Sequence, residues 1–160
     1  MKLRKWQAEC VRLVLNKYAS NHRHFLCLAT PGAGKTTMAA EVVANLFELG
    51  LIDFVLCFSP SVIISNDIRL TLEKRTNKRF DGLIGAKGDS FTYQSMQYLN
   101  DEIWQLLKSH RVLCVFDELH HCSGSSPDNA NAWGEDIITK IQDQAAYTLA
   151  LTGTPWRSDN

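Results

Sequence analysis

The chain has 160 residues, of which 45% are hydrophobic and 21% are charged, and its 17 basic side chains balance 17 acidic ones. A chain of this length and composition is typical of one globular domain and excludes an intrinsically disordered protein. Zero net charge excludes nucleic-acid binding by bulk electrostatics alone, and no apolar run of the sequence is long enough to span a bilayer, so no membrane partner is expected.

Helical and extended patterns alternate along the first half of the chain. In chain order, the pattern predicts a helix over 3–19, a strand over 24–29, a helix around 38–47 that Gly50 closes, a strand over 53–58 and a helix that ends near Lys74. The first strand enters a glycine-rich turn, and Ser59-Pro60 stops the second.

The second half continues this alternation. It predicts a possible strand at Leu83-Ile84-Gly85, a helix around 103–107, a strand over 111–116, a polar loop over 122–131, a helix around 133–141 and a last strand over 146–151. The segment Ser90-Phe91-Thr92-Tyr93 is short and ambiguous.

Continuous apolar strands separated by helices predict an α/β fold, with a central, mostly parallel sheet and helices on both faces. In such sheets ligands bind at the carboxyl ends of the strands. The polar segments 30–36, 59–61, 117–118 and 152–157 each follow a predicted strand. We therefore expect these segments to meet at one edge of the sheet.

The cysteines indicate a reducing environment. Their number is odd and no Cys-x-x-Cys pair is present; they are Cys10, Cys27, Cys57, Cys114 and Cys122. Three lie inside apolar runs, where cysteine behaves as a small buried hydrophobe. The pattern predicts a cytoplasmic protein without a disulfide framework. Zinc binding at His120-His121-Cys122 is the lesser alternative, because three adjacent residues cannot easily all face one ion.

Residues 29–36, Ala-Thr-Pro-Gly-Ala-Gly-Lys-Thr, are similar to a P-loop placed between a strand and a helix. Small residues let backbone N–H groups wrap a phosphate, and the helix that follows points its positive end at it. In such a loop Lys35 would reach the β- and γ-phosphates, and the Thr36 hydroxyl would bind Mg²⁺. The candidate nucleotide-binding residues are Thr30, Pro31, Gly32, Ala33, Gly34, Lys35, Thr36 and Thr37. The alternative is an ordinary glycine-rich turn.

Asp117-Glu118 follows the clearest buried strand, which is the context of a Walker B motif. There the Asp holds the Mg²⁺ shell and the adjacent Glu polarises the attacking water. Acidic residues also end strands at ordinary turns. A phosphate loop at the same sheet edge favours an ATP and Mg²⁺ site in which Lys35, Asp117 and Glu118 are catalytic and Thr36 and Asp117 hold the metal.

Three motifs in order resemble superfamily 2 helicases and translocases. Residues 117–120, Asp-Glu-Leu-His, resemble the DExH box, and residues 29–36 resemble the first motif of that superfamily, which commonly begins with Ala. Residues 151–155, Leu-Thr-Gly-Thr-Pro, are similar to its third motif. The resemblance covers residues 6–157, and its tail, Pro-Trp-Arg at 155–157, is nearest to restriction-enzyme motor subunits.

The resemblance implies a RecA-like lobe in which the last strand lies between the phosphate-loop strand and the acidic strand. It also implies that Gln7 reads adenine, for which an exposed helix glutamine is the alternative. Residues coupling nucleotide to nucleic acid would be His120, Thr152 and Thr154, and nucleic-acid contacts would be Pro60, Ser61, Thr92 and Tyr93. Core packing is the alternative for Tyr93. The basic cluster of Lys74, Arg75, Lys78 and Arg79 is most simply a solvated surface, and phosphate binding is its alternative.

The resemblance further implies that residues 1–160 are the N-terminal, ATP- and Mg-binding motor lobe of a helicase or double-stranded DNA translocase. DNA rather than RNA is the expected partner. A second RecA-like lobe, in the same or a partner chain, would supply the arginines for hydrolysis, so we expect little turnover from this lobe alone. The alternatives are a stand-alone nucleotide-binding switch or interaction module, and an unrelated P-loop ATPase.

Overall fold

The computed structural model describes residues 2–28, 34–119 and 129–153, with the backbone alone for 129–134. Within these ranges the elements are, in chain order, α1 (Lys5–Ala19), β1 (His24–Leu28), α2 (Lys35–Glu48), β2 (Phe54–Ser59), α3 (Val62–Thr76), β3 (Gly88–Thr92), a 3-10 helix (Gln94–Tyr98), α4 (Asp101–Ser109), β4 (Val112–Asp117), α5 (Asn129–Gln144) and β5 (Tyr147–Thr152). None of the helices in the described part of the chain is long and apolar enough to cross a membrane.

The strands form one five-stranded sheet in the order β1-β5-β4-β2-β3, and every pairing in it is parallel. The predicted α/β fold with a parallel sheet is confirmed, as is the position of the last strand between the phosphate-loop strand and the acidic strand. Leu28 lies beside Thr152, and Asp117 lies beside Leu151. The carboxyl ends of β1, β5 and β4 therefore lie together at one edge of the sheet.

Two apolar clusters explain why the strands read as continuous apolar runs. Alternate strand residues such as Val55 and Val115 pack with α1, α2 and α3 on one face, which we call the α1–α3 face. The intervening residues, such as Phe58 and Phe116, pack with α4, α5 and the 3-10 helix on the other face. Both faces of the central strands are thus buried, as helices on both faces of a parallel sheet require.

The position of the third strand differs from the prediction. Leu83-Ile84-Gly85 forms no strand, and Leu83 and Ile84 are 67% and 100% exposed. The strand is Gly88–Thr92, which includes most of the ambiguous segment. Among the described strands it pairs with β2 alone, at an edge of the sheet, and a Cβ at Gly88 would lie 1.7 Å from the Val55 carbonyl oxygen. The strand therefore begins with a glycine and lacks the apolar run of a central strand.

The start of the last helix also differs. The predicted polar loop over 122–131 overlaps the first residues of α5, which begins at Asn129. Asparagine is a weak helix former, so the apolar period alone placed the helix start too late in the chain.

Candidate nucleotide-binding site

One cationic and two anionic side chains meet at the carboxyl edge of the sheet. Lys35 is the first residue of α2, Asp117 is the last residue of β4, and Glu118 follows it. The Lys35 Nζ lies 3.2 Å from Asp117 Oδ1 and donates a hydrogen bond to Glu118 Oε2. These side chains are only 11%, 3% and 18% exposed, respectively. The cluster thus places a lysine at a helix N-terminus in contact with both carboxylates.

The Asp117 carboxylate has capacity for a further ligand. Burial raises its pKa above the ordinary range, and the Lys35 charge opposes this by lowering the pKa. Asp117 Oδ1 accepts no hydrogen bond, although the Lys35 ammonium lies 3.2 Å away. We interpret that contact as an ion pair outside hydrogen-bonding directions, which leaves a buried acceptor oxygen unsatisfied. The Thr36 hydroxyl and this carboxylate are oxygen ligands of the kind that Mg²⁺ prefers, so these residues fit the predicted metal.

The backbone at Glu118 is strained. Its φ of 53° lies in the left-handed region, which costs a residue other than glycine about 1–2 kcal/mol. Strain of this kind persists only where the surroundings hold it, and it is frequent at functional sites.

Tyr93 holds the peptide group that precedes Glu118. Its hydroxyl donates a hydrogen bond of 2.9 Å to the backbone carbonyl of Asp117, and its backbone N–H donates one of 2.8 Å to the carbonyl of Ser59. The side chain predicted to contact nucleic acid therefore contacts the backbone of the acidic pair. No pattern in the sequence marks this contact, because its acceptor is a backbone carbonyl.

Gln7 is buried, with 3% of its surface exposed, so the alternative of an exposed helix glutamine is wrong. Its Oε1 accepts a hydrogen bond from the Arg4 N–H over 2.7 Å, and its Nε2 donates one to the Gly34 carbonyl over 2.8 Å. Gly34 has a φ of 86°, and a Cβ there would lie 2.4 Å from Gln7 Nε2. Gln7 therefore ties α1 to the residue that precedes α2.

The four predicted nucleic-acid residues lie on two neighbouring segments. Pro60 and Ser61 follow β2, Thr92 ends β3, and Tyr93 follows it, while Ser59 and Thr92 are partners in the sheet register. The Ser61 hydroxyl caps α3 by accepting a hydrogen bond from the backbone N–H of Ile64. The Thr92 hydroxyl accepts one from the backbone N–H of Ser95. The structure thus brings the four residues together and gives both hydroxyls a local structural role.

Thr152 ends β5, the strand between β1 and β4, and its hydroxyl donates to the Gly153 carbonyl over 3.2 Å. Leu151 belongs to the cluster on the α1–α3 face, so strand alternation points Thr152 to the opposite face. The other predicted coupling residues, His120 and Thr154, lie outside the described residues, as do the phosphate-loop residues Thr30, Pro31, Gly32 and Ala33.

The basic cluster near the end of α3 contacts protein groups. Arg75 forms two hydrogen bonds with the Glu41 carboxylate, over 2.8 and 2.9 Å, and Lys78 lies 5.2 Å from the centre of the Phe47 ring. Arg79 lies 3.8 Å from an Asp81 carboxylate oxygen. These contacts with protein groups favour the interpretation as a surface without a phosphate role over phosphate binding. Lys74 is the remaining member of the cluster, and it is exposed.

Relatives of this chain are longer proteins. An uncharacterised protein of Mycobacterium leprae is 31% identical over 172 residues, which cover 99% of this chain and 26% of that protein. The chain thus spans about a quarter of the length of this curated relative.

Two solved structures share the fold. They are the SWI2/SNF2 ATPase core of Sulfolobus solfataricus in complex with dsDNA and the UvsW helicase from bacteriophage T4, each with a TM-score of 0.70. The first is 18% identical, with 99% of this chain and 33% of that chain covered; the second is 15% identical, with 96% and 53% covered. The predicted RecA-like fold is confirmed.

A family model described as "Type III restriction enzyme, res subunit" matches residues 1–157. The match confirms the resemblance to the restriction-enzyme motor subunits of superfamily 2. The chain therefore belongs to the ResIII family.

Proposed function

We propose that this chain is the N-terminal nucleotide-binding lobe of an ATP-driven superfamily 2 motor that moves on DNA. The observation that carries the proposal is the contact of Lys35 with both Asp117 and Glu118 at the carboxyl edge of a parallel sheet. An ordinary glycine-rich turn with a solvated lysine would not bury these three charged groups together.

Nucleotide binding would begin at the N-terminus of α2. Its free backbone N–H groups and its helix dipole attract phosphate oxygens. Lys35 is held close to this position by the two carboxylates, and on binding its ammonium would move from them to the β- and γ-phosphates. Gln7, which contacts the Gly34 carbonyl, lies beside the same loop. Its amide can still donate a second hydrogen bond and accept a second one, which suits the edge of an adenine base.

Thr36 and Asp117 are the residues that would hold Mg²⁺. When bound there, the ion supplies positive charge to the phosphate oxygens. On the protein side, the buried Asp117 carboxylate is available because one of its oxygens accepts no hydrogen bond.

Glu118 would act on the attacking water. Its carboxylate accepts a hydrogen bond from the water, orients it in line with the γ-phosphorus and takes its proton as the new P–O bond forms. The bond to the oxygen bridging the β- and γ-phosphates breaks, and ADP leaves with the electron pair. Lys35 stabilises the charge on the transferred group. Catalysis of this kind rests on positioning and electrostatics.

A second lobe would complete the site. An arginine supplied to such a reaction raises the rate by about 10³–10⁵-fold. The relative from Mycobacterium leprae extends well beyond the matched region, which supports a further lobe in the same chain. The Sulfolobus neighbour was solved with dsDNA, and this supports DNA as the partner. The segments bearing Pro60, Ser61, Thr92 and Tyr93 are the proposed contact surface.

The test is ATP hydrolysis by the complete protein, with and without double-stranded DNA. We expect DNA to raise turnover, Lys35→Ala to abolish nucleotide binding, and Glu118→Gln to preserve binding while stopping hydrolysis. Glu102→Gln, at an exposed position in α4, is the matched control. Normal hydrolysis by Glu118→Gln would refute the role of Glu118. Nucleotide binding with no effect of DNA on turnover would instead favour a nucleotide switch.

A further inference from the structure

Two thiols from different elements contact each other next to the segment that leads into the nucleotide-binding site. Cys10 lies on α1 and Cys27 on β1, and their sulfur atoms are 3.3 Å apart. Both are free cysteines; Cys27 is buried and Cys10 is partly exposed. A disulfide bond is about 2.05 Å long, so bond formation needs a movement of only about 1 Å.

We propose that Cys10 and Cys27 are an oxidisable dithiol site, whose disulfide fastens α1 to β1 beside the nucleotide-binding segment. The site lies between two features of that segment. Gln7, one turn before Cys10, donates to the Gly34 carbonyl, and the residue after Cys27 is the last of the strand that leads into residues 29–36.

The two thiols are chemically unequal. The hydrogen bond with Cys27 lowers the pKa of Cys10, whereas the same bond, together with burial, raises the pKa of Cys27. The thiolate is the reactive form, so the more accessible Cys10 is the attacking group and Cys27 is the resolving group.

The oxidant class is a hydroperoxide. The Cys10 thiolate attacks hydrogen peroxide and breaks its O–O bond, which gives a sulfenic acid and, after protonation, one water. The Cys27 thiol then attacks the Cys10 sulfur, the S–S bond forms, and a second water leaves. Both sulfur atoms are oxidised and both peroxide oxygens are reduced.

Two other cysteines are internal controls. Cys57 and Cys114 are 1% and 0% exposed and belong to the apolar clusters on opposite faces of the sheet. Burial raises the pKa of each thiol. They should stay reduced and unmodified while the protein is folded.

The disulfide has a consequence for the nucleotide site, and this part rests on the proposed function. Cys27 lies one residue before the end of β1, the strand that leads into residues 29–36, so the pair lies close to the phosphate-loop segment along the chain. A contraction of about 1 Å would displace the turn of α1 that carries Gln7. We expect oxidation to weaken nucleotide binding several-fold.

The first experiment treats the full chain, in a Cys122→Ser background, with hydrogen peroxide, then alkylates the free thiols and maps peptides by mass spectrometry. The expected product is one disulfide between Cys10 and Cys27, with a melting temperature roughly 5 °C higher that returns on reduction. Cys10→Ser and Cys27→Ser should each lose that shift. A folded protein with no such disulfide, or with only sulfonic acid at Cys10, would overturn the proposal.

The second experiment measures binding of a fluorescent ATP analogue to the reduced and oxidised forms. Weaker binding after oxidation, absent in Cys27→Ser, supports the link to the nucleotide site, and equal binding refutes it. If neither form binds nucleotide, the proposed function fails together with that link, while the mapped disulfide still decides the dithiol site.

Discussion

Replacing Tyr93 by Phe would remove the hydroxyl that donates to the Asp117 carbonyl and leave the ring in place. The peptide group that carries this carbonyl also carries the N–H of Glu118, whose φ is 53°. We therefore expect the substitution to lower stability and also to release Glu118 from its position beside Lys35.

The expected size follows from two comparable free energies. A hydrogen bond of this type contributes about 0.5–1.5 kcal/mol net, and the backbone strain at Glu118 costs about 1–2 kcal/mol. Because the two free energies are similar, loss of the hydrogen bond should let the backbone at Glu118 leave its left-handed conformation. For a domain of this size, 1 kcal/mol corresponds to about 3 °C in melting temperature. A loss of about 1.4 kcal/mol in the transition state lowers kcat about tenfold.

The assay has two parts. Thermal unfolding of the chain measures stability, and steady-state ATP hydrolysis by the complete protein with DNA measures kcat and KM. We expect Tyr93→Phe to lower the melting temperature by a few degrees and kcat about tenfold, with KM for ATP unchanged because α2 and its loop are untouched. Tyr98→Phe is the control, since Tyr98 is 77% exposed and should change neither quantity.

Two results would refute this reasoning. A lower melting temperature with normal kcat would mean that the hydrogen bond stabilises the fold without positioning Glu118. A rise in KM equal to the fall in kcat/KM would mean that Tyr93 supports nucleotide binding.

The remaining predictions concern the same edge of the sheet. Gly34→Ala should weaken binding of an ATP analogue at least tenfold, because the added Cβ would displace Gln7. Gly50→Ala is the control: Gly50 also has a positive φ, but no atom lies within 4 Å of the added Cβ, so this substitution should lower only the melting temperature. Lys35→Ala leaves two carboxylates without their cation, so thermal unfolding should show a loss of about 3 kcal/mol, and an unchanged melting temperature would contradict the ion pairs. The chain of 160 residues alone should hydrolyse ATP negligibly even with duplex DNA, and robust DNA-stimulated turnover in a phosphate-release assay would contradict the need for a second lobe.

The central strands were predictable because each is buried on both faces. That environment requires a continuous apolar run, and the runs at 53–58, 111–116 and 146–151 match β2, β4 and β5 to within one residue at each end. The run at 24–29 matches β1 equally well, although β1 is an edge strand in which only Cys27 is buried. The other edge strand, β3, has no such run, so apolar content pointed instead to the exposed Leu83-Ile84-Gly85.

The meeting of Lys35 with the acidic pair was also predictable, since parallel strands bring their carboxyl ends to one edge. The contacts that hold the site were not. Gln7 and Tyr93 each donate to a backbone carbonyl, at Gly34 and Asp117, and every residue offers such an acceptor. No residue type therefore marks the partner in the sequence, and only the packing of the elements selects it.

The left-handed backbone at Glu118 bears on how this lobe responds to selection. Glycine and asparagine adopt that conformation more readily than glutamate does, so replacement by either would relieve the local strain. A screen of variants for heat resistance alone would select such replacements, and each of them would remove the proposed water-activating carboxylate. At this position the fold and the reaction favour different residues, so consensus or thermostability design on this family should hold residue 118 fixed.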